Sequence, residues 1–381
     1  MNAVIYSLLA VIAYPYAIYP VLSFLISRFR PVKEYAAYYP SVTVLIAAYN
    51  EIGCIREKLE NTFALEYPPG LLQVIVVTDG STDGTAEVVA AEGRALLLHH
   101  PDRKGKAAAI NSAIEKIESA IVVCTDANTM LNRDALVELV KYFQDPQIGA
   151  VAGEKRVITA GSKAGTVAEG YYWKYESRLR QWDSKAFSVT GAAGELYAIR
   201  REYLQVVPAD TICEDLLITM QVIYQGKRVV YEPKAYGTEK MSETVTDEWK
   251  RKLRIAAGSI QFFQRMKLRS LCTTYSYAAF QFISRKLFRW LVVPYALIIL
   301  LVLGLVQGFQ TDSSWVFFIC MLQLAFYGWA LMGWLFSRVK GLPGVFFFPF
   351  YFLMANAAIV VGTCQYLHGK SFVLWDRVKR A

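Results

Sequence analysis

Apolar positions along this chain fall into three regimes, and their order predicts the architecture. Residues 3–27 ("AVIYSLLAVIAYPYAIYPVLSFLIS") carry no charge and are long enough to cross a bilayer as one helix. From about 41 to 235 the apolar runs become short. "SVTVLIAAYN", "LQVIVVTDG", "ESAIVVCTDA" and "RALLLHH" are brief and continuous, the pattern of parallel strands buried on both faces. Polar, helix-starting sequence follows these runs. Strand–helix–strand repetition predicts an α/β domain of Rossmann-like type, a mostly parallel sheet with helices on both faces. In such sheets ligands gather at the carboxyl ends of the strands, where Tyr49, Asn50, Asp79 and Asp126 all stand. After 240, "DEWKRKLRIAAGSIQFFQRMKLRSL" and "FQFISRKLFRW" are basic and amphipathic. They predict helices lying in a membrane interface, with Phe, Leu and Ile in lipid and Lys/Arg among headgroups. Three apolar segments follow, at about 290–309, 315–336 and 344–367.

The predicted division is therefore an N-terminal transmembrane helix (1–30), an α/β domain (38–240), interfacial helices (241–289) and a C-terminal membrane region (290–381). Composition agrees: 55% of the chain is hydrophobic and 19% charged, with the apolar excess at the two ends. The basic residues Arg28, Arg30 and Lys33 follow the first segment, which reads as an uncleaved anchor with its N-terminus outside and the α/β domain in the cytosol. The net charge of +9 is concentrated beside the membrane segments, as at Lys250–Arg254, Arg265–Arg269, Arg285–Arg289 and Arg377–Arg380. That places anionic membrane lipids among the expected partners. No nucleic-acid-binding motif is present, so nucleic acid is not among them. The loop "QGFQTDSS" has no Lys or Arg and should lie outside, whereas "SRVKGLP" should lie inside. Three full crossings would then leave the basic "HGKSFVLWDRVKR" outside, against the same rule. Pro349 and Asn356 in the last segment open the alternative of a re-entrant or broken helix. The six cysteines (54, 124, 213, 272, 320, 364) form no CxxC pair and read as buried, reduced thiols.

Six motifs occur in order: "AAYNE" (47–51), "VTDGSTDGT" (77–85), "DRKGKAAAIN" (102–111), "TDANT" (125–129), "GAAGELYAIRR" (191–201) and "EDLLIT" (214–219). Each has a local reading. Tyr49 offers a flat face for stacking a base. Asp79 can accept a hydrogen bond from a base or ribose, or begin the turn that "DGSTDG" encodes. Lys104 and Lys106 flank Gly105 ahead of a helix, a place suited to a diphosphate or to a solvated loop. Asn128 is either a carbonyl ligand or a helix cap before "LNRDALVELV". The adjacent acids Glu214 and Asp215 suit proton transfer or simply a helix N-terminus. Gly191 and Gly194 allow close backbone approach to a ligand, or a plain hairpin.

Taken as an ordered set, these motifs resemble the membrane-bound family 2 glycosyltransferases, the group that includes cellulose, hyaluronan and poly-N-acetylglucosamine synthases. The resemblance covers nearly the whole chain, and "FQFISRKLFRW" is similar to the membrane entry of bacterial members. It implies a GT-A fold and an inverting hexosyl- or N-acetylhexosaminyl-transferase using a UDP-sugar. Tyr49, Glu51, Asp79, Lys104, Lys106 and Asp126 would bind the donor nucleotide. Asp126 and Asn128 match the family's DxD element and would hold Mg²⁺ or Mn²⁺, hard cations that suit oxygen ligands. Asn128 supplies no negative charge, so weaker metal binding is expected. Asp215 would be the general base, oriented by Glu214. Gly191, Gly194, Arg251 and Arg254 would line the diphosphate and acceptor region. The chain departs from the pattern at the (Q/R)xxRW element of processive members, which here reads Arg251, Arg254, Ile255, with Trp249 at the wrong offset. The acceptor platform is lost there, so the leading expectation is transfer to a lipid-linked or glycan acceptor in polysaccharide or glycolipid biosynthesis. A processive β-glycan synthase, aided by a homo-oligomer or an export partner, is the first alternative. A catalytically silent membrane subunit of the same fold is the second. The expected location is a bacterial inner (plasma) membrane with the catalytic domain in the cytosol.

Overall fold

Every apolar run predicted as a strand folds as one in the computed structural model, which describes residues 2–31, 33–158, 164–240, 244–310, 314–337 and 343–374. The strands are β1 (Val42–Ala48), β2 (Leu72–Asp79), β3 (Leu96–His100), β4 (Ile121–Asp126), β5 (Met130–Leu131), β6 (Ile148–Ile158), β7 (Leu196–Arg200) and β8 (Arg228–Lys240). They form one sheet in the order β3-β2-β1-β4-β7-β6-β8-β5. β3, β2, β1 and β4 are mutually parallel, and so are β6 and β8. β7 runs antiparallel to both its neighbours, and β5 to β8. This is a GT-A-type, mostly parallel mixed sheet. All of β1 is buried, because alternate side chains enter different cores. Leu45, Val77 and Val122 face Ile110 and Ile218 on one side, while Val44, Ile46 and Val76 face Leu59 and Leu136 on the other. The parallel register pairs Ala48 with Thr78 and Ala47 with Asp126, so Tyr49, Asp79 and Asp126 emerge along one rim.

Four helices are long and apolar enough to cross a bilayer: Asn2–Arg28, Ser276–Gln307, Trp315–Leu335 and Gly344–Leu367. Ile5 of the first packs on Leu300 and Val316 at one end. Towards the other end, Tyr19 and Ser23 donate to Asp183 Oδ1 at 2.6 and 2.7 Å. Asp183 belongs to a long helix, Ala164–Ala186, lying within the region predicted to be soluble.

Two predicted features change here. "FQFISRKLFRW" is not a separate interfacial helix but the opening of Ser276–Gln307, whose stretch Ile283–Val292 is π-helical. Its arginines are held by carboxylates: the buried Arg285 pairs with Asp183 (2.7 Å) and Glu176, and the half-buried Arg289 pairs with Glu176. The helix Val245–Arg265 does not lay its apolar residues in lipid either. Leu253, Ala256, Ile260 and Phe262 are buried. Gly258 presses on Cys213 of the α/β domain, and Ala256 and Leu253 press on Gly362 of the last helix. Amphipathicity reports that one face of a helix is covered, not whether lipid or protein covers it.

The last helix follows Val245–Arg265 along its length: Met354 clusters with Trp249, and Tyr366 Oη donates to Gln264 (3.1 Å). The segment beyond it then returns to the sheet rim. A Cβ on Gly105 would stand 3.2 Å from Val373 Cγ1. The predicted cluster Arg377–Arg380 and most of "SRVKGLP" fall outside the described residues. All six cysteines are free, as expected, but of those only Cys124 and Cys320 are buried; Cys54 and Cys213 are half-buried, and Cys272 and Cys364 are exposed.

Candidate functional site

The rim of the sheet carries a cluster of opposite charges that neighbouring strands and one helix bring together. Lys106 opens the helix Lys106–Ala113. Its Nζ lies 2.6 Å from Asp126 Oδ1 at the end of β4 and 2.9 Å from Glu214 Oε1. Glu214 and Asp215 open the helix Glu214–Tyr224. Burial works against the charge on Lys106, but Asp126 and Glu214 outweigh it and hold the ammonium protonated. Burial also opposes ionisation of Glu214, yet Lys106 and then Arg254 hold its carboxyl below the usual range. Asp215 has no such direct cation. Burial, and then the neighbouring Glu214, push it up to about 6. The two adjacent carboxyls thus titrate in opposite directions, the signature of a pair with divided acid–base work. Gly194 lies over this cluster: a Cβ there would be 3.1 Å from Lys106 Nζ and 3.5 Å from Asp215 Oδ2.

Four of the predicted nucleotide-side residues take defined positions. Asp79 is buried, and its carboxylate accepts the backbone N–H of Lys104 (2.8 Å) and of Gly105 (2.7 Å), so it shapes the loop ahead of Lys106. Gly105 takes φ +99°, a conformation suited to glycine. The Lys104 side chain is exposed. One face of the Tyr49 ring carries the Arg103 guanidinium, 3.7 Å from its centroid. Glu51 follows Asn50, whose left-handed φ of +53° lets its Oδ1 accept the Thr82 N–H (2.8 Å). Glu51 N–H donates to Thr85 Oγ1 (2.9 Å), which knots the first two loops of the rim together.

Asn128 sits in the turn between β4 and β5, not at a helix N-terminus. The helix after it starts at Ala135, whose N–H donates to the Asn132 carbonyl (3.0 Å). With Asp126 it offers one carboxylate and one amide carbonyl. Among the described residues no group of three or more His, Cys, Asp or Glu side chains converges on a metal position. A two-oxygen donor set of this kind fits Mg²⁺ or Mn²⁺ held jointly with substrate phosphates rather than in an all-protein cage.

Gly191, at φ +105°, has other neighbours than Gly194: a Cβ there would stand 2.7 Å from both Leu216 Cδ1 and Lys286 Nζ. Arg254 donates to the Ile212 carbonyl at 2.7 Å, two residues ahead of Glu214. Arg251 is bound to Glu248 one turn back (2.8 and 2.9 Å). Ile255 is 37% exposed, and Trp249 packs on Phe350 and Met354, turned toward the last helix.

Sequence reasoning missed four participants. Lys58 lies fully buried beneath "TDANT", donating to the Thr129 carbonyl (2.5 Å) and Thr125 Oγ1 (3.1 Å), and burial lowers its pKa to about 7. Lys155 of β6 is pinned between Glu195 and Glu239 (2.7 Å to the latter). Glu239 in turn accepts from Thr129 Oγ1 (2.8 Å). Glu195 stands inside a motif already singled out, which was the only available signal. The other three come from segments of ordinary amphipathic or strand character.

Residues 43–207 match glycosyl transferase family 2. The chain is 29% identical over 238 residues to poly-beta-1,6-N-acetyl-D-glucosamine synthase of Staphylococcus aureus (strain MSSA476), covering 59% of this chain and 57% of that one. It is 27% identical over 246 residues to the Staphylococcus epidermidis protein of the same name, covering 63% and 59%. The chain thus spans less than two thirds of these relatives' length. Among solved structures, the mannosyltransferase PcManGT from Pyrobaculum calidifontis, in complex with GDP-Man and Mn²⁺, is similar over 97% of this chain and 99% of that one. Its TM-score is 0.71 and its identity 26%.

Proposed function

We propose, from the match of residues 43–207 to glycosyl transferase family 2, that this protein is a membrane protein that moves a sugar from a nucleoside-diphosphate sugar to a membrane-held acceptor with inversion. The observation that carries the reading is the Lys106 bridge between Asp126 and Glu214, with Asp215 raised to about 6 beside it. Asp126 and Asn128 would hold Mg²⁺ or Mn²⁺, which supplies charge to stabilise the departing diphosphate. Lys106 adds a fixed cation at the same place. Glu214 stays ionised and orients Lys106. Asp215 takes the proton of the acceptor hydroxyl on the face opposite the leaving group. Tyr49, Arg103 and the loop held by Asp79 form the base end, with Glu51 bracing the adjoining turn.

The exposed Ile255 in place of an aromatic platform favours single transfer, and the likeness to poly-beta-1,6-N-acetyl-D-glucosamine synthases makes processive synthesis the second reading. UDP-N-acetylglucosamine and GDP-mannose are the donors to test. Protein in nanodiscs with Mn²⁺ is expected to release nucleoside diphosphate from one of them and to add one sugar to a lipid extract. Products of many sugars would overturn single transfer, and no release from any donor would overturn the enzyme. The pH profile follows from Asp215. The carboxylate is the active form, so kcat/KM should be flat above pH ~6 and fall about tenfold per unit below it.

The contact of Val373 with Gly105 supports a segment after the last helix on the same side of the membrane as the α/β domain. An even number of crossings after the domain satisfies this, so we read Ser276–Gln307 and Trp315–Leu335 as spanning and Gly344–Leu367 as lying along the domain. That restores the positive-inside pattern with a cytosolic domain. Val373→Asp should raise the donor KM about three- to tenfold with kcat little changed, because a carboxylate is set against the diphosphate loop. An unchanged KM would remove the tail from the donor site.

A further inference from the structure

Three basic residues open the helix Ser276–Gln307, and two of them are consumed by carboxylates. Arg285 and Arg289 pair with Glu176 and Asp183. Lys286 does not. Among the described residues no oxygen lies within hydrogen-bonding distance of its Nζ, and its one close partner is the Trp290 ring, 5.0 Å away. The charged groups around it are Arg285, Arg180, Asp215 and Glu176. Lys286 is half-buried, and a cation that a membrane helix turns toward the α/β domain without an oxygen partner is open to a ligand. Lys286 also lies within the π-helical stretch, where an inserted residue re-aims side chains and which clusters at functional sites.

Its position says which ligand. Lys286 Nζ would be 2.7 Å from a Cβ on Gly191, so the ammonium lies directly against this loop. Three residues on, Gly194 faces Lys106 and Asp215 instead. The loop 191–194 thus has the Lys106–Asp126 cluster at one end and a cation from a membrane helix at the other, with Asp215 near both. On the same side, Arg254 keeps a buried Nε without a partner while its Nη2 holds the Ile212 carbonyl. The donor diphosphate has Lys106 and the Asp126–Asn128 pair. Lys286 comes from the point where the chain enters the membrane, the level at which lipid phosphates sit.

We propose that Lys286, assisted by Arg254, binds a phosphate carried by the acceptor lipid and so sets that lipid's reactive end beside Asp215. This rests on the transferase reading and adds the chemical class of its acceptor: a long-chain lipid phosphate, or a lipid diphosphate bearing the first sugar. A neutral lipid alcohol would lack the group that Lys286 awaits.

The test uses the full chain in nanodiscs doped with a C55 prenyl phosphate, a prenyl diphosphate sugar, or the parent prenol, with retention read by native mass spectrometry. Binding of GDP and UDP is titrated in parallel with Mn²⁺. Wild type should retain one of the two phosphorylated lipids at least about tenfold over prenol, the scale of a charge-assisted contact. Lys286→Gln should abolish that preference, Lys286→Arg should keep most of it, and both should bind nucleotide like wild type, which also verifies folding. Which phosphorylated lipid is retained separates monophosphate from diphosphate acceptors. Equal retention of prenol overturns the proposal. So does a Lys286→Gln variant that loses nucleotide affinity but keeps the lipid preference, since Lys286 would then serve the donor. If wild type binds neither nucleotide, it is the transferase reading that fails.

Discussion

Replacing Asp215 with Asn should lower kcat about a thousandfold, within the range for loss of a general base, while nucleotide affinity stays within about twofold. The two halves of this expectation have separate causes. Asn keeps the shape of the side chain beside Gly194 but cannot accept the acceptor's proton. The ion pairs that organise the donor end, Lys106 with Asp126 and with Glu214, do not involve Asp215, so they survive. Glu214→Gln behaves differently. It removes one of the two anions that hold Lys106, so nucleotide affinity and kcat should both change. Steady-state kinetics with nucleotide titrations separates the two variants, and an Asp215→Asn enzyme that keeps more than about a tenth of wild-type kcat would remove Asp215 from the proton transfer.

The donor end of the site is legible in the sequence through its strand ends. β1 to β4 are continuous apolar runs ending in polar residues, and a parallel sheet buried on both faces produces that pattern and little else. Asp126 stands at the end of such a run, whereas the Glu214–Asp215 pair opens a helix and is joined to the site in sequence only by the motif resemblance. The far half of the sheet was less readable. β6 and β8 point Lys155 and Glu239 inward, which breaks the apolar pattern that identifies a strand, although the two charges neutralise each other once the strands pair. Lys58 was silent for a similar reason, since a lysine on an amphipathic helix looks solvated unless the carbonyl it meets 71 residues away is known. The helix Ala164–Ala186 was hidden most completely. Its Glu176 and Asp183 resemble surface charges, and their partners lie more than 100 residues downstream. For the interfacial helices the amphipathic pattern was correctly seen, but which phase covers the apolar face is a tertiary fact.

The hidden helix carries the largest stability effect expected in the molecule. Arg285→Leu should destabilise the protein by about 3–5 kcal/mol, because removing one partner of a buried ion network leaves the others uncompensated. Arg285 is 5% exposed, and the side chains of Asp183 and Glu176 are 1% and 6% exposed. Asp183 keeps its bonds from Tyr19 and Ser23, and Glu176 keeps Arg289, so the network loses one cation between two carboxylates. Those carboxylates join the catalytic domain to the first and second membrane helices. The loss should therefore appear as a Tm lower by on the order of 10 °C and as early loosening of the domain from the membrane helices, read by protease cleavage within 164–186. Adding Asp183→Asn to Arg285→Leu removes the one carboxylate left without a cation, while Glu176 keeps Arg289, and should recover part of the lost Tm, because neutral replacement of both partners of a buried pair is close to neutral. A single variant melting within about 2 °C of wild type would mean that the network is wet and screened, and that the domain is held to its membrane helices by apolar packing alone.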